Sequence, residues 1–280
     1  MAAFSLKNNI SRFFDVRPGE LRRVGIMVAL VFFLLAANNV IKVVRDSLFL
    51  SHFLVSDLSY VYILVAVIAG GIIAVYTRYT AGLPFYQLIL GSHAFIISNV
   101  IVFWYLIVFF KFAWAIYAFY IWSAIVGILA IAQFWTLADL IFTSREAKRL
   151  FGIFSAGGSL GAILGGFASG WLVDLFARTD ELFWFIATLF TGAFGVVWLA
   201  RNELCELKSA AENEFEKREL KANQQTSALG AIGTSRYLQL IASAIFVSVV
   251  VSTLIDFQFK AAAKAAYASQ MSLTAFFGSY

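Results

Sequence analysis

NNVIKVVRDSLFL, residues 38–50, sets two asparagines, a lysine, an arginine and an aspartate inside one of the most apolar stretches of the chain. Fourteen uncharged residues, Val24 to Ala37, precede it, and Leu48, Phe49, Leu50, Phe53 and Leu54 follow. On a helix turning about 100° per residue, Asn38, Lys42 and Arg45 fall within about 60° of one another. Asn39 and Asp46 lie on the near flank, and Val40, Ile41, Val43 and Val44 take the remaining faces. The segment is a polar stripe on an apolar rod. A charged side chain at the centre of a membrane helix costs about 2.5–3.5 kcal/mol on insertion scales, and facing a wet cavity or a partner relieves that cost. A cavity with a cationic wall, suited to an anion, is the functional reading of Lys42, Arg45, Asn38 and Asn39. Snorkelling of Arg45 to the interface is the structural one. A helix ending at residue 44 favours snorkelling; one running on through Phe53 embeds the stripe. Lys42 and Asp46 stand four apart and are spaced to pair.

The surroundings fix the class. Hydrophobic residues make up 61% of the 280 residues and charged ones 13%, against about 25% charged in soluble domains. The mean hydropathy is +0.84. So few polar groups cannot cover a water-facing surface, and the solvent of this chain is lipid. Spans of about 20 apolar residues cross a bilayer. Seven stretches qualify, near 24–44, 58–77, 86–110, 113–142, 149–177, 182–200 and 237–259. With the N-terminus in the cytoplasm, fifteen Lys and Arg fall on the inner side and six on the outer, the bias of the positive-inside rule. That distribution accounts for the basic pI without a nucleic-acid partner. No cleavage site follows the first apolar run, and Ser5–Phe14 is spaced for a helix on the membrane surface.

The expected fold is all-α, a polytopic membrane protein. It comprises a cytoplasmic N-terminal segment (1–23), a six-helix transmembrane half (24–200), a charged cytoplasmic loop (201–236), and a seventh helix opening a second half (237–280). Many carriers pair two such halves around their substrate. The layout therefore reads as a truncated major-facilitator-like carrier whose partner is its own C-terminal half; a complete seven-helix protein is the other expectation.

Three further constellations stand out. In the fifth span, Gly157, Gly161, Gly165 and Ser169 form one line, and Gly158, Ala162, Gly166 and Gly170 the next. This small-xxx-small pattern predicts close helix packing. Gln133, Thr136 and Asp139 step along one face of the fourth span, and Asp139 is placed to pair with Arg145, Lys148 or Arg149 as an inner gate. Asp256 and Lys260 repeat the i, i+4 spacing of Lys42 and Asp46. His52, His93 and Cys205 are isolated. No metal-ligand cluster, phosphate-binding loop or nucleophile elbow occurs, so neither an enzyme nor a cofactor is expected.

NNVIKVVRDSLFL resembles the first helix of the ATP/ADP translocases of plastids and intracellular bacteria, where an Arg precedes a Lys-Asp pair. FWTLADLIFTSREAKRLFGIFSAGGSLGA, from residue 134, is similar to their FWGFANQ and EAKRFY elements and following glycine-rich helix. DFQFK (256–260) is similar to their Glu-x-x-Trp-Lys. The resemblance implies nucleotide exchange in a twelve-helix fold, with Lys42 at the family's Arg, Arg45 at its Lys, Asp46 at its Asp, Asp256 at its Glu and Lys260 at its Lys. Arg45, Phe259 and Ser123, the last at the position of a fourth-helix Glu, depart from the pattern. The expected function is therefore a secondary transporter of an organic anion, ATP or ADP first among them, working by alternating access in a bacterial inner membrane. The alternative is a non-transporting membrane anchor or sensor built on a transporter fold.

Overall fold

The computed structural model describes residues 20–80, 85–176, 178–201, 236–267 and 269–279. The expected surface helix at Ser5–Phe14, and all of the charged loop except its first and last residues, lie outside the described residues. The described residues form eight α-helices and no strand: α1 (Leu21–His52), α2 (Asp57–Thr80), α3 (Phe85–Trp104), α4 (Ala113–Ile141), α5 (Ser144–Phe176), α6 (Glu181–Leu199), α7 (Arg236–Ala266) and α8 (Gln270–Ser279). Six are long and apolar enough to cross a membrane; α2 adds a shorter apolar stretch, Asp57–Ile72.

α1 is the axis of the bundle. It packs along α5 over most of its length and also touches α4, α6, α7 and α8. At 32 residues and about 1.5 Å per residue it is some 48 Å long, more than the roughly 30 Å hydrocarbon core. Arg45 and Asp46 thus lie well inside the helix, which ends where Phe53 turns extended.

Glycines set the α1–α5 contact. A Cβ on Gly161 would stand 2.3 Å from the Phe32 carbonyl oxygen, and one on Gly165 2.7 Å from that of Ala36. Both neighbours are backbone and cannot move aside, so only glycine permits this approach. The second line of small residues works differently. Gly166 and Gly170 meet the backbone of α8 at Gly278 and Ala275.

The EAKR element is structural in this fold. Glu146 Oε2 accepts hydrogen bonds from the Thr143 backbone N–H (2.8 Å) and hydroxyl (2.8 Å), while its own N–H reaches the Thr143 hydroxyl. This is a capping box at the start of α5. Arg149, one turn on, forms a salt bridge with Glu20 at the start of α1. Between α3 and α4 the chain passes a π-helical turn, Tyr105–Phe109, and Lys111 with a φ of 54°.

α7 is the outlier. Lys260 and Ala263 are its buried residues, and its membrane-length apolar stretch buries none. It joins the bundle near its C-terminal end, where the Lys264 ammonium also donates to the Leu50 carbonyl.

Candidate functional site: a charge network between α1, α2, α4 and α7

The stripe on α1 meets α7 in one polar cluster. Arg45 holds Asp46 with both arms of its guanidinium, Nε to Oδ1 at 2.8 Å and Nη2 to Oδ2 at 3.0 Å. Adjacent residues on a helix diverge by about 100°, so this pair closes only because the long Arg side chain folds back. The face of the Tyr120 ring, on α4, supports it, with the guanidinium carbon 4.4 Å from the ring centroid. Phe49 packs edge-on against the same tyrosine.

Lys260, 3% exposed, comes in from α7. Its ammonium lies 2.7 Å from Asp256 Oδ2, 3.3 Å from Asp46 Oδ1, and 3.2 Å from each of the Tyr62 and Tyr120 hydroxyls. Tyr62, on α2, donates its own proton to Asp256 Oδ2 at 2.6 Å. Two cations and two carboxylates therefore balance, and each charge has an oppositely charged partner, as buried ions require.

Lys42 completes the picture from outside. It is exposed, and the charges of Arg45, Asp46, Lys260 and Asp256 all act on it. The structure pairs Asp46 with Arg45 and Lys260 in place of Lys42. Among the described residues Lys42 thus has no carboxylate partner and adds a positive charge beside a neutral network.

The other sequence candidates lie elsewhere. Asn39 donates to the Ala162 carbonyl of α5 at 2.8 Å. Asn38 packs its side-chain oxygen where a Cβ on Gly127 of α4 would be, 2.5 Å away. Both asparagines stitch α1 to its neighbours. Asp139 is exposed and makes no pair with Arg145, Lys148 or Arg149; Arg149 is taken by Glu20. Gln133 is buried and ties Ser92 of α3 to Tyr76 of α2, while Thr136 bonds its own helix at Ala132. Tyr62 and Tyr120 were not marked by sequence reasoning. Among eleven tyrosines in an aromatic-rich chain, their one sequence signal is a hydroxyl carried within an apolar span, which needs a partner there.

Ser123, where the resemblance expects a carboxylate, is buried and donates to the Tyr120 carbonyl at 2.8 Å. It sits one helical turn from Tyr120, on the network's side of α4. The departure from Glu thus leaves the network neutral here, where a further carboxylate would make it negative.

These helices and this cluster define an integral, all-α membrane protein whose intramembrane charges converge between its first and seventh helices. The chain belongs to the TLC ATP/ADP transporter family, whose family model matches residues 90–280. The match takes in the EAKR element, the glycine-rich helix and DFQFK, and begins after α1. Membership places the chain among nucleotide transporters in general. No curated protein and no solved structure matched the chain.

Proposed function

We propose that the chain carries an organic anion, a nucleotide of the ATP/ADP type, across the membrane by alternating access, with Lys42 as its first anion-binding group. The observation that carries this reading is the exposed Lys42, without a carboxylate partner among the described residues, beside a network that is otherwise charge-balanced. A surplus cation at that place attracts a phosphate or carboxylate, and the ammonium can donate charge-assisted hydrogen bonds to it. Arg45 and Lys260 form the second rank, available once the anion competes with Asp46 and Asp256. Family membership supports the nucleotide as substrate. The Lys and Arg distribution supports a cytoplasmic N-terminus. The layout supports a six-helix half over 24–200 and a second half opening at 237, with the substrate between them.

The test is counterflow in proteoliposomes. Labelled ADP or ATP should accumulate against unlabelled internal nucleotide, and Lys42→Gln should reduce uptake far more than Lys111→Gln, a charge in the α3–α4 turn. Absence of counterflow for phosphate-bearing and carboxylate anions alike would remove the transport reading in favour of an anchor or sensor. Equal effects of the two substitutions would remove Lys42 from the site.

A further inference from the structure

We infer that Tyr62 is the positioning residue that latches Asp256 and Lys260 of α7 to the first helices and governs their release. Lys260 has three N–H donors and four oxygens within reach: Asp256, Asp46, Tyr62 and Tyr120. With one acceptor in surplus, the ammonium can give up a carboxylate without leaving a proton unpaired. The two tyrosine hydroxyls are the neutral members of that set. They can hold Lys260 while an oxyanion is exchanged, and they add no competing negative charge.

The tyrosines are not equivalent. Tyr120 contacts Lys260 and Arg45 but makes no bond to Asp256. Tyr62 commits its proton to Asp256 at 2.6 Å, so its lone pairs are left to receive Lys260 at 3.2 Å. One side chain on α2 thus engages both Asp256 and Lys260. Those charges lie in the segment by which α7 is held: Lys260 and Ala263 are its buried residues, and Lys264 donates to Leu50 close by. The membrane-length apolar stretch of α7 buries none of its residues. Removing the Tyr62 hydroxyl therefore releases both bonds from α2 to Asp256 and Lys260 and takes away one of the oxygens that hold Lys260 beside Asp46 of α1. The ring, and its cation–π contact with Lys260 at 5.4 Å, stays in place.

The latch is independent of substrate identity; its role in transport rests on the carrier reading above. The experiment separates the two. In full-length protein in nanodiscs on a Cys205→Ser background, Ala263→Cys places a thiol at the α7 contact. Its alkylation by a water-soluble maleimide reports opening. Tyr62→Phe removes two hydrogen bonds to charged groups and should raise the labelling rate about tenfold or more without any anion present, the least expected for the loss of even one such bond, and Tyr120→Phe should raise it less. Leu50→Cys, on the facing helix, provides a second reporter should the first perturb folding. In the exchange assay, Tyr62→Phe should change the maximal rate at least about fivefold while KM for ADP stays within about twofold, because Lys42 is untouched. A purely structural defect would reduce folded protein and leave the rate per folded carrier alone. Labelling rates equal to the parent, or a larger effect from Tyr120→Phe, would overturn the latch. Faster labelling of Tyr62→Phe with no counterflow in any variant would uphold the latch and remove the carrier reading.

Discussion

Neutralising either partner of the Asp46–Lys260 contact should have unequal consequences. Asp46→Asn keeps shape and volume but removes the carboxylate that Arg45 grips twice and Lys260 touches at 3.3 Å. Arg45 and Lys260 then share one carboxylate, Asp256, whose side chain is 47% exposed and already bound by Tyr62. Stranding a buried charge in this way costs about 3–5 kcal/mol. Lys260→Met is the milder change. Asp46 keeps both bonds to Arg45, and Asp256 keeps Tyr62 and its access to water. The burial penalty of the ammonium disappears as well. Removing one member of a buried pair is costly where it strands the other; here Arg45 still compensates Asp46 and water reaches Asp256, so the expected loss is that of a solvent-accessible pair, about 1 kcal/mol or less. At about 2–4 °C per kcal/mol for a chain of this order of size, thermal unfolding in detergent should show Asp46→Asn lower by roughly 6 °C or more and Lys260→Met within about 3 °C of the parent. In the double variant the surplus cation is gone, so it should be more stable than the sum of the single losses predicts, a coupling above about 0.5 kcal/mol. Equal shifts for the two single variants, or strict additivity, would refute the idea that these four charges act as one balanced unit.

Gly161→Ala should prevent α1 and α5 from closing, because the added methyl would lie 2.3 Å from the Phe32 carbonyl oxygen; size-exclusion profiles should show loss of the monodisperse species. Gly152→Ala, with nothing within 4 Å of the new methyl, should be neutral or stabilising by up to about 1 kcal/mol from helix propensity. Asn39→Ala should lower stability by about 0.6–1.7 kcal/mol, the range for interhelical hydrogen bonds in membranes, and leave KM for the anion unchanged, since Asn39 is spent on Ala162.

Much of this was legible because charges in apolar runs are rare and need a reason. The periodicity of residues 38–46 marked a stripe on α1, and Arg45 and Asp46 proved to be two of the four charges in the network. The four-residue recurrence of glycines predicted close packing; α1 lies against Gly157, Gly161 and Gly165 and also against Gly158 and Ala162, and α8 against Gly166 and Gly170. The partners were not legible. Asp46 was read against Lys42 because the two are four apart, yet Arg45 folds back onto it and Lys260 arrives from α7, 214 residues further along. Local spacing carries no information about that arrival. Asp139 was read against Arg149 by proximity to the inner boundary, but Arg149 already had Glu20, which sits at the start of another helix. Tyr62 and Tyr120 escaped notice because a tyrosine in an aromatic-rich span looks like packing until its hydroxyl is seen to have a charged neighbour.

The manner in which α7 is held bears on what the network is for. Lipid is as apolar as a leucine side chain, so an apolar helix gains no hydrophobic free energy by docking on another; packing and polar bonds must supply it. α7 packs little: Lys260 and Ala263 are the residues it buries. Its attachment includes Lys260, Asp256 and Lys264, the half-buried Phe257 against the core, the Phe259 ring on Phe276 of α8, and the approach of Gly278 to Gly166 and Gly170. Close-packed apolar contacts would be indifferent to an arriving anion. A tie made of two ammoniums, a guanidinium and two carboxylates is not, because a phosphate offers the same cations an alternative partner of the same sign as Asp46 and Asp256. On the proposed carrier reading, groups that hold α7 against α1 are thus groups a bound anion would draw upon, and this coupling would let a ligand at Lys42 change the position of a helix without any separate hinge.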